Sequence, residues 1–185
     1  MLTCFKMWGY DNCIGIDISK SCVDFVKSLG LNCELVEDTQ EWLRKHPNTF
    51  DLITLLDVLE HIPRENVISF LKDIYNALKP GGILIIQVPN LGAPDSNLHM
   101  YNDITHYVGY TEHSLQQVLI TAGFKKIHFQ PFEEIVDKNL KAVLHKFIRY
   151  IYWKMVRFVR KVNCNLNPSI LTPVFSAIVY KEIEE

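Results

Sequence analysis

The sequence has no large excess of positive or negative charge, and no two of its cysteines stand at metal-binding spacing. Its 185 residues include 19 Lys and Arg against 21 Asp and Glu, a net charge of −2, so we expect no bulk affinity for nucleic acid. Of the five cysteines, none forms a C-x-x-C pair and one is left over after any pairing. This pattern favours free thiols in a reducing compartment over disulfides or a metal site.

Long apolar runs are also lacking. No run reaches the ~18 residues of a membrane-spanning helix. The first residues, Met1–Trp8, are too short and too polar for a signal peptide. We therefore expect a cytoplasmic protein.

What the chain does contain is an alternation of strand and helix patterns. Strands are predicted at Cys13–Asp17, Cys33–Val36, Phe50–Leu56, Ile83–Val88, Phe124–Phe132 and Leu171–Lys181. Helices are predicted at Lys20–Leu29, Thr39–Lys45, Pro63–Leu78, Thr111–Ala122 and Asp137–Val162. The Lys-Pro-Gly-Gly sequence after Leu78 is predicted to end the third helix, and Thr111 is the predicted N-cap of the fourth. This order predicts one α/β domain over residues 1–185, with a doubly wound sheet. The aperiodic stretch Asn90–Tyr110 is predicted as a long loop, and such loops are usually functional or disordered.

Asp17 ends the first of these strands, and Ser19 follows it as a predicted helix cap. An acid in this place is typical of the second strand of a nucleotide-binding sheet, where it accepts hydrogen bonds from ribose hydroxyls. The glycine-rich turn of such sheets lies roughly 20 residues before the acid. Counting back from Asp17 passes Met1, and the chain contains no G-x-G sequence.

Two segments in the middle of the chain carry the most specific signal. They are Leu55–Pro63, which reads Leu-Leu-Asp-Val-Leu-Glu-His-Ile-Pro, and Leu78–Gly82, which reads Leu-Lys-Pro-Gly-Gly. In this order and spacing they resemble class I S-adenosylmethionine-dependent methyltransferases, in the group with L-x-V-L-E-H-I/V after the fourth strand and L-K-P-G-G before the fifth. The resemblance runs from about Gly9 to Gly123. It implies a Rossmann-like, mostly parallel sheet with an antiparallel last strand, and S-adenosylmethionine as the cofactor.

The resemblance also implies a set of cofactor ligands. Asp17, with Ile18 beside it, would bind the ribose, and Asp38, with Thr39 beside it, would face the adenine amino group. Asp57 and Val58 would lie beside the cofactor at the carboxyl end of a strand, where such sheets bind ligands. Two simpler interpretations stay open, because Asp38 and Thr39 could only cap the next helix and Asp57 could only cap a turn.

Candidate catalytic residues come from the same resemblance. A D-x-T-H segment, Asp103–His106, precedes Tyr110-Thr111 as in this group, and that region would close over the acceptor. A hydroxyl acceptor must lose a proton, which a histidine with a near-neutral pKa can accept. His61 and His106 are the candidates, although His61 could instead cap a helix or bond backbone, and His106 could hold the loop closed through Asp103. No cluster has metal-ligand spacing, so no metal is expected, although Asp and Glu pairs leave one open.

The last predicted helix is amphipathic and basic. From Lys138 to Val162 the chain carries Lys and Arg with no Asp or Glu. Apolar residues recur at helical spacing along one continuous face: Leu140, Leu144, Phe147, Ile148, Ile151, Met155, Phe158, Val159 and Val162. In related methyltransferases a tight turn often joins the last two strands, so residues 137–162 are predicted to be an insertion. The helix could pack on the domain with a solvated basic face, lie on an anionic membrane, or form a lid over the acceptor.

The sequence thus predicts a methyltransferase acting on oxygen of a glycan, lipid-linked or small-molecule acceptor. The first, central strand and its glycine turn are missing from the family pattern. The sequence could be a fragment, a degenerate paralogue, or a chain whose gap is filled by its own N-terminal residues or by a partner. An unpaired sheet would favour a homodimer through strand addition. The alternative function is a non-catalytic methyltransferase-like module that binds a partner or a membrane surface.

Overall fold

The computed structural model describes residues 1–94, 96–132, 140–163 and 168–183. The chain divides into two compact units, Met1–Pro47 and Asn48–Glu185, which we call the N-terminal and C-terminal units. Strands and helices alternate in both, so the predicted α/β class is confirmed. The single domain over residues 1–185 and the missing central strand stay predictions.

The N-terminal unit is built on two short parallel strands. Its elements are α1 (Leu2–Met7), β1 (Gly15–Asp17), α2 (Lys20–Ser28), β2 (Cys33–Leu35) and α3 (Thr39–Arg44), and β1 pairs with β2. The hydroxyl oxygen of Ser19 accepts a hydrogen bond from the amide of Cys22, which confirms Ser19 as the cap of α2. Gly30 follows α2 with a φ of 69°, a conformation that favours glycine and ends the helix.

The C-terminal unit contains a mixed four-stranded sheet. Its elements are β3 (Phe50–Leu56), α4 (Val67–Ala77), β4 (Leu78–Pro89), α5 (Ser96–Tyr101), α6 (Glu112–Ala122), β5 (Lys126–Pro131), α7 (Leu140–Val162) and β6 (Val174–Tyr180), with short 3-10 helices at Leu59–His61 and Arg64–Asn66. The strand order is β3-β4-β6-β5. β3 and β4 are parallel, whereas β6 runs antiparallel to both of its neighbours, as predicted for the last strand.

The core of this unit lies between the sheet and the helices α4 and α6. Alternate residues of β4, namely Leu84, Ile86 and Val88, are fully buried. The helices contribute further buried side chains, each at most 3% exposed: Phe70, Leu71 and Ile74 of α4, and Leu115 and Leu119 of α6. The apolar spacing that predicted α4 therefore corresponds to its buried face. Thr111 caps α6 in a capping box with Ser114, which confirms its predicted role.

Two elements differ from their predicted form. β4 begins at Leu78, five residues before the predicted strand, because Leu78 pairs with Phe50 and the register shifts before Leu52. The Lys-Pro-Gly-Gly sequence was predicted only to end a helix, but here it forms an irregular start of a strand, a place that Pro and Gly tolerate. The predicted loop Asn90–Tyr110 contains a helical turn, α5.

A helix, α7, lies before the last strand where the sequence predicts one, and its interpretation as an insertion stays a prediction. Residues 137–139 of the predicted helix, Lys138 included, lie outside the described residues. Among the helices that the structure describes, none combines the length and apolar character needed to cross a bilayer.

Candidate functional site

Asp17 lies at the carboxyl end of β1, and its side chain is exposed. Its Oδ1 accepts a hydrogen bond of 2.7 Å from the amide of Ser19, which fixes the carboxylate at the strand end and uses one of its two oxygens. The other oxygen of this exposed carboxylate could accept from a ligand hydroxyl, and the contact of Asp17 with a ribose stays a prediction. Ile18, beside it, is 71% exposed.

Asp38 serves as the cap of α3. Its Oδ1 accepts a hydrogen bond of 2.9 Å from the amide of Glu41, and Thr39 is the first residue of the helix. The simpler interpretation of Asp38, a helix cap, is thus present in the structure. A capping bond engages one carboxylate oxygen, so the contact of Asp38 with an adenine amino group stays a prediction.

Asp57, the residue after β3, has an unusual backbone conformation. Its φ is 53°, a left-handed value that few residues other than Gly, Asn and Asp adopt and that is enriched at functional sites. Its amide donates to the carbonyl oxygen of Gln87, and its Oδ2 accepts a 3.1 Å hydrogen bond from Nε2 of Gln87. Asp57 therefore bonds across to β4 and does not cap a local turn. Val58 is 37% exposed, and the cofactor contacts of both residues stay predictions.

The segment that follows Asp57 holds the long loop in place. The carbonyl oxygen of Glu60, in the first 3-10 helix, accepts hydrogen bonds from the amides of Tyr107 and Val108, at 2.8 and 3.2 Å. The amide of Leu91 donates to the carbonyl oxygen of Tyr110. These backbone bonds bring the predicted D-x-T-H segment against the Leu59–His61 helix.

His61 and His106, the two predicted catalytic residues, are brought together by this arrangement. Their ring centroids lie 4.7 Å apart with the planes at 62°. Nδ1 of His61 lies 2.9 Å from Oγ1 and 3.3 Å from the carbonyl oxygen of Thr105. Nδ1 of His106 lies 3.2 Å from the carbonyl oxygen of Met100. The Asp103 carboxylate accepts hydrogen bonds from Thr105. The suggested hydrogen bond between His106 and Asp103 is present through the backbone, since the His106 amide donates to the Asp103 carbonyl oxygen at 3.3 Å.

Glu60 is the functional candidate that sequence reasoning missed. Its side chain is 1% exposed, and within the described part of the chain neither carboxylate oxygen has a hydrogen-bond partner in another residue. Burial raises the pKa of this carboxyl. A hydrogen bond from its own backbone amide opposes the rise, the Asp57 carboxylate adds to it, and His61 and His106 oppose it. The hydroxyl of Tyr110 is also buried without a partner there, and burial followed by the charge of Glu60 raises its pKa. The signal in the sequence was the Glu-His pair itself, of which only the histidine was selected.

The comparisons with known proteins agree with the fold. The chain is 22% identical over 178 residues to O-methyltransferase 3 of Dictyostelium discoideum, covering 84% of this chain and 40% of that relative. It therefore spans less than half of that relative's length. A solved S-adenosylmethionine-dependent methyltransferase of Archaeoglobus fulgidus superposes with a TM-score of 0.72 at 23% identity, covering 97% of this chain and 80% of that one. A possible histamine N-methyltransferase of Thermotoga maritima gives 0.62 at 14% identity, covering 91% and 72%.

The family is shown by a match that covers most of the chain. Residues 1–129 match the methyltransferase domain family, and the solved relatives are class I S-adenosylmethionine-dependent enzymes. The predicted family, the Rossmann-like fold and the family's cofactor, S-adenosylmethionine, are thereby confirmed. The chain belongs to the methyltransferase domain family.

Proposed function

We propose that this protein transfers a methyl group from S-adenosylmethionine to an oxygen atom of a lipid-linked, glycan or small-molecule acceptor. The observation that carries the proposal is the pair of imidazoles at the end of β3, since a hydroxyl acceptor must lose its proton. Family membership supports the cofactor, and the relative called O-methyltransferase 3 supports oxygen as the accepting atom.

The cofactor, when bound, supplies a methyl group already activated on a sulfonium. The protein therefore has to bind and orient the cofactor and the acceptor and to exclude water, and it does not have to create a strong electrophile. Asp17 would accept hydrogen bonds from the ribose through the carboxylate that Ser19 positions. In the C-terminal unit, Asp57 and Val58 follow β3 directly and would line the cofactor there.

The hydrogen bonds of the two histidines define which ring nitrogen is basic. Carbonyl oxygens only accept, so Nδ1 of His106 must carry the proton that it donates to Met100. Oγ1 of Thr105 donates to Oδ1 of Asp103 at 2.6 Å, so it accepts from Nδ1–H of His61. In both neutral rings Nε2 is then the nitrogen with a free lone pair, which is the form that a proton acceptor requires.

The exposed face of α7 supports a lipid surface as the place of action. Nine apolar side chains of α7 are each 48–67% exposed and form what we call the apolar stripe: Val143, Leu144, Phe147, Ile148, Ile151, Met155, Phe158, Val159 and Val162. The opposite side packs on the unit through Arg157, which donates to the carbonyl oxygens of Pro168 and Ser169, and Arg160, which donates to Gly92. The interpretation of α7 as a helix packed on the domain with a solvated basic face agrees with the exposure of Lys141, Lys146, Lys154 and Lys161. It does not account for the exposure of the apolar stripe.

The charge of α7 supports an anionic membrane as the surface that would cover the apolar stripe. α7 contains seven Lys and Arg and no Asp or Glu. Lys154 and Lys161 lie beside the stripe, each about one helical turn from Phe158, and both are exposed. An apolar face bordered by lysines is typical of helices that lie in the interface of an anionic bilayer. We therefore propose that α7 binds an anionic membrane surface, where a lipid-linked acceptor would be found.

Cofactor binding tests the enzyme proposal. We expect S-adenosylhomocysteine to bind the wild-type chain in calorimetric titrations, and Asp17→Asn to weaken binding roughly tenfold or more, because a charged hydrogen-bond acceptor is lost. Asp24→Asn, on the exposed side of α2, is the matched control and should bind as the wild type does. If neither this chain nor a longer form that includes a glycine-rich turn binds S-adenosylhomocysteine, the enzyme proposal is wrong and a non-catalytic module is favoured.

Transfer of radiolabelled methyl from S-adenosylmethionine to membrane extracts identifies the acceptor. We expect label in the solvent-extractable lipid fraction, in a bond that survives mild base as an ether does. Label confined to water-soluble products would place the acceptor outside the membrane. Label in a base-labile ester would contradict a hydroxyl acceptor.

A further inference from the structure

We propose that Glu60, His61 and His106 form a binding site for one divalent transition-metal ion of the zinc class. Each of the three side chains offers one ligand atom, and these atoms lie within 4.8 Å of one another. Two imidazoles and one carboxylate are a ligand set of catalytic zinc sites and of other sites that keep positions open for water or substrate. Binding of the ion does not depend on whether the protein is a methyltransferase.

The buried carboxylate supplies the strongest argument. Glu60 is 1% exposed, and within the described residues neither carboxylate oxygen has a hydrogen-bond partner other than its own backbone amide, which opposes the rise of its pKa. An isolated buried carboxylate is costly unless a cation or hydrogen-bond donors compensate it. A second carboxylate, that of Asp57, acts electrostatically on the same group, which makes the position still more favourable for a cation.

The hydrogen bonds of the two histidines resemble those of metal-binding histidines. In metal sites the ligating imidazole usually donates its other N–H to a carbonyl, a carboxylate or a hydrogen-bonded relay, which fixes the ring and the tautomer. Here Nδ1 of His106 donates to Met100. Nδ1 of His61 donates to Thr105, whose hydroxyl donates on to Asp103. Both Nε2 atoms are thereby left as lone-pair donors.

The geometry needs little adjustment to bind the ion. Zinc bonds nitrogen and oxygen at 2.0–2.2 Å, so a tetrahedral site places its ligand atoms about 3.3 Å apart. The three side chains would therefore close by at most ~1.5 Å from the 4.8 Å limit. His61 and His106 are partly exposed, so the open coordination position has access to solvent.

An ion in this site would change how an acceptor hydroxyl is activated, and this consequence rests on the proposed function. A hydroxyl bound to a zinc-class ion has a strongly lowered pKa, so the ion and not a free imidazole would carry the activation. The proton would then leave to solvent or to a neighbouring group before the methyl group is transferred.

The test uses Co²⁺ as a spectroscopic substitute for zinc, on tag-free chain in which the exposed thiols are removed as Cys4→Ser and Cys22→Ser. We expect one equivalent of Co²⁺ per chain, with the intense visible absorption of a four- or five-coordinate ion. Elemental analysis after dialysis against Zn²⁺ should likewise give one equivalent. Failure to bind either ion would overturn the proposal.

Variants locate the ion. His61→Gln, His106→Gln and Glu60→Gln should each weaken binding at least ~100-fold, and Thr105→Val about 10- to 100-fold, because an outer hydrogen bond then no longer orients His61. His113→Gln, which changes an exposed histidine on α6, is the matched control and should bind as the parent does. Unchanged affinity in both ligand-histidine variants would overturn the proposal even if Glu60→Gln fails to fold. Titration of S-adenosylhomocysteine into metal-free chain separates this proposal from the enzyme proposal, since cofactor binding should persist without the ion.

Discussion

The end of β3 and the outer face of α7 both depart from the usual distribution of polar and apolar groups, but in opposite directions. At the end of β3, the carboxylate of Glu60 and the hydroxyl of Tyr110 are buried, and the described structure provides them with no hydrogen-bond partner. On α7, nine large apolar side chains are exposed. One region has polar atoms that need a partner, and the other has apolar surface that needs cover.

The difference indicates two kinds of occupant. Two lone carboxylate oxygens beside a pair of imidazoles need something small and positively charged. An apolar stripe with lysines along its border suits an extended apolar surface that is negatively charged at its edge, such as an anionic membrane. Each of the following changes tests one side of this comparison, and the largest expected effect comes first.

The largest effect is expected from Phe147→Glu combined with Phe158→Glu. Burial of each ring in lipid contributes roughly 1.5–3 kcal/mol, and a charged replacement opposes insertion, so binding to anionic vesicles should fall more than ~100-fold. The melting temperature should not change, since both rings are exposed in the protein itself. Vesicle co-sedimentation and thermal unfolding measure the two quantities.

Ile120→Glu is the control for that variant, because Ile120 is an exposed apolar residue of α6. It should sediment with vesicles as the wild type does. If the wild type does not bind vesicles but forms a dimer that the double variant disrupts, as measured by light scattering, the apolar stripe is covered by a second copy of the chain.

Asn90→Ala should have the next largest effect, on stability. Asn90 is fully buried like Glu60, but its Nδ2 donates to the carbonyl oxygens of Ile170 and Thr172 and its Oδ1 accepts from Gly92. Truncation leaves these groups unpaired, so the free energy of unfolding should fall by about 3 kcal/mol. Urea denaturation measures the loss. A loss below ~1 kcal/mol would contradict the prediction, because it would show that the hydrogen bonds of buried Asn90 contribute little to stability.

Lys154→Gln combined with Lys161→Gln should have a moderate effect on membrane binding. Each lysine near an anionic surface contributes roughly fivefold to partitioning, and that contribution is screened by salt. Affinity for anionic vesicles should therefore fall roughly 25-fold at low salt, and much less at high salt. Equal losses on neutral and anionic vesicles would show that charge is not what selects the surface.

Tyr110→Phe should have the smallest effect, and in the opposite direction. Because the buried hydroxyl of Tyr110 has no partner among the described residues, its removal deletes a desolvated polar group and leaves the ring in place. Thermal unfolding of metal-free chain should show a gain in stability of up to about 1 kcal/mol. A clear loss would reveal that the hydroxyl has a partner, such as a water molecule.

Local patterns in the sequence predicted much of the fold. The bounds of β3, the caps Ser19 and Thr111, and the position of α7 were all predicted, because runs of apolar residues and capping side chains act over a few neighbours. The family motifs added the antiparallel direction of the last strand and the cofactor. The early start of β4 could not be predicted, because it depends on pairing with Phe50, nearly thirty residues away.

The candidate site was predicted only in part, for the same reason. His61 and His106 were chosen separately, but their contact depends on backbone bonds from Tyr107 and Val108 to Glu60, which no local pattern encodes. Burial of Glu60 depends on the same contact. For α7 the stripe was visible in the sequence, whereas the side of the helix that faces the unit is set by Arg157 and Arg160 and their distant carbonyl partners.

The place of β6 inside the sheet has a consequence for the order of events during synthesis. β6 pairs with β4 on one side and β5 on the other, so β5 cannot join the sheet until the ribosome has made β6. α7 precedes β6 in the chain and emerges first. A nascent chain therefore presents its apolar helix while the sheet is still incomplete, which gives the helix an opportunity to meet a lipid surface before the C-terminal unit has finished folding.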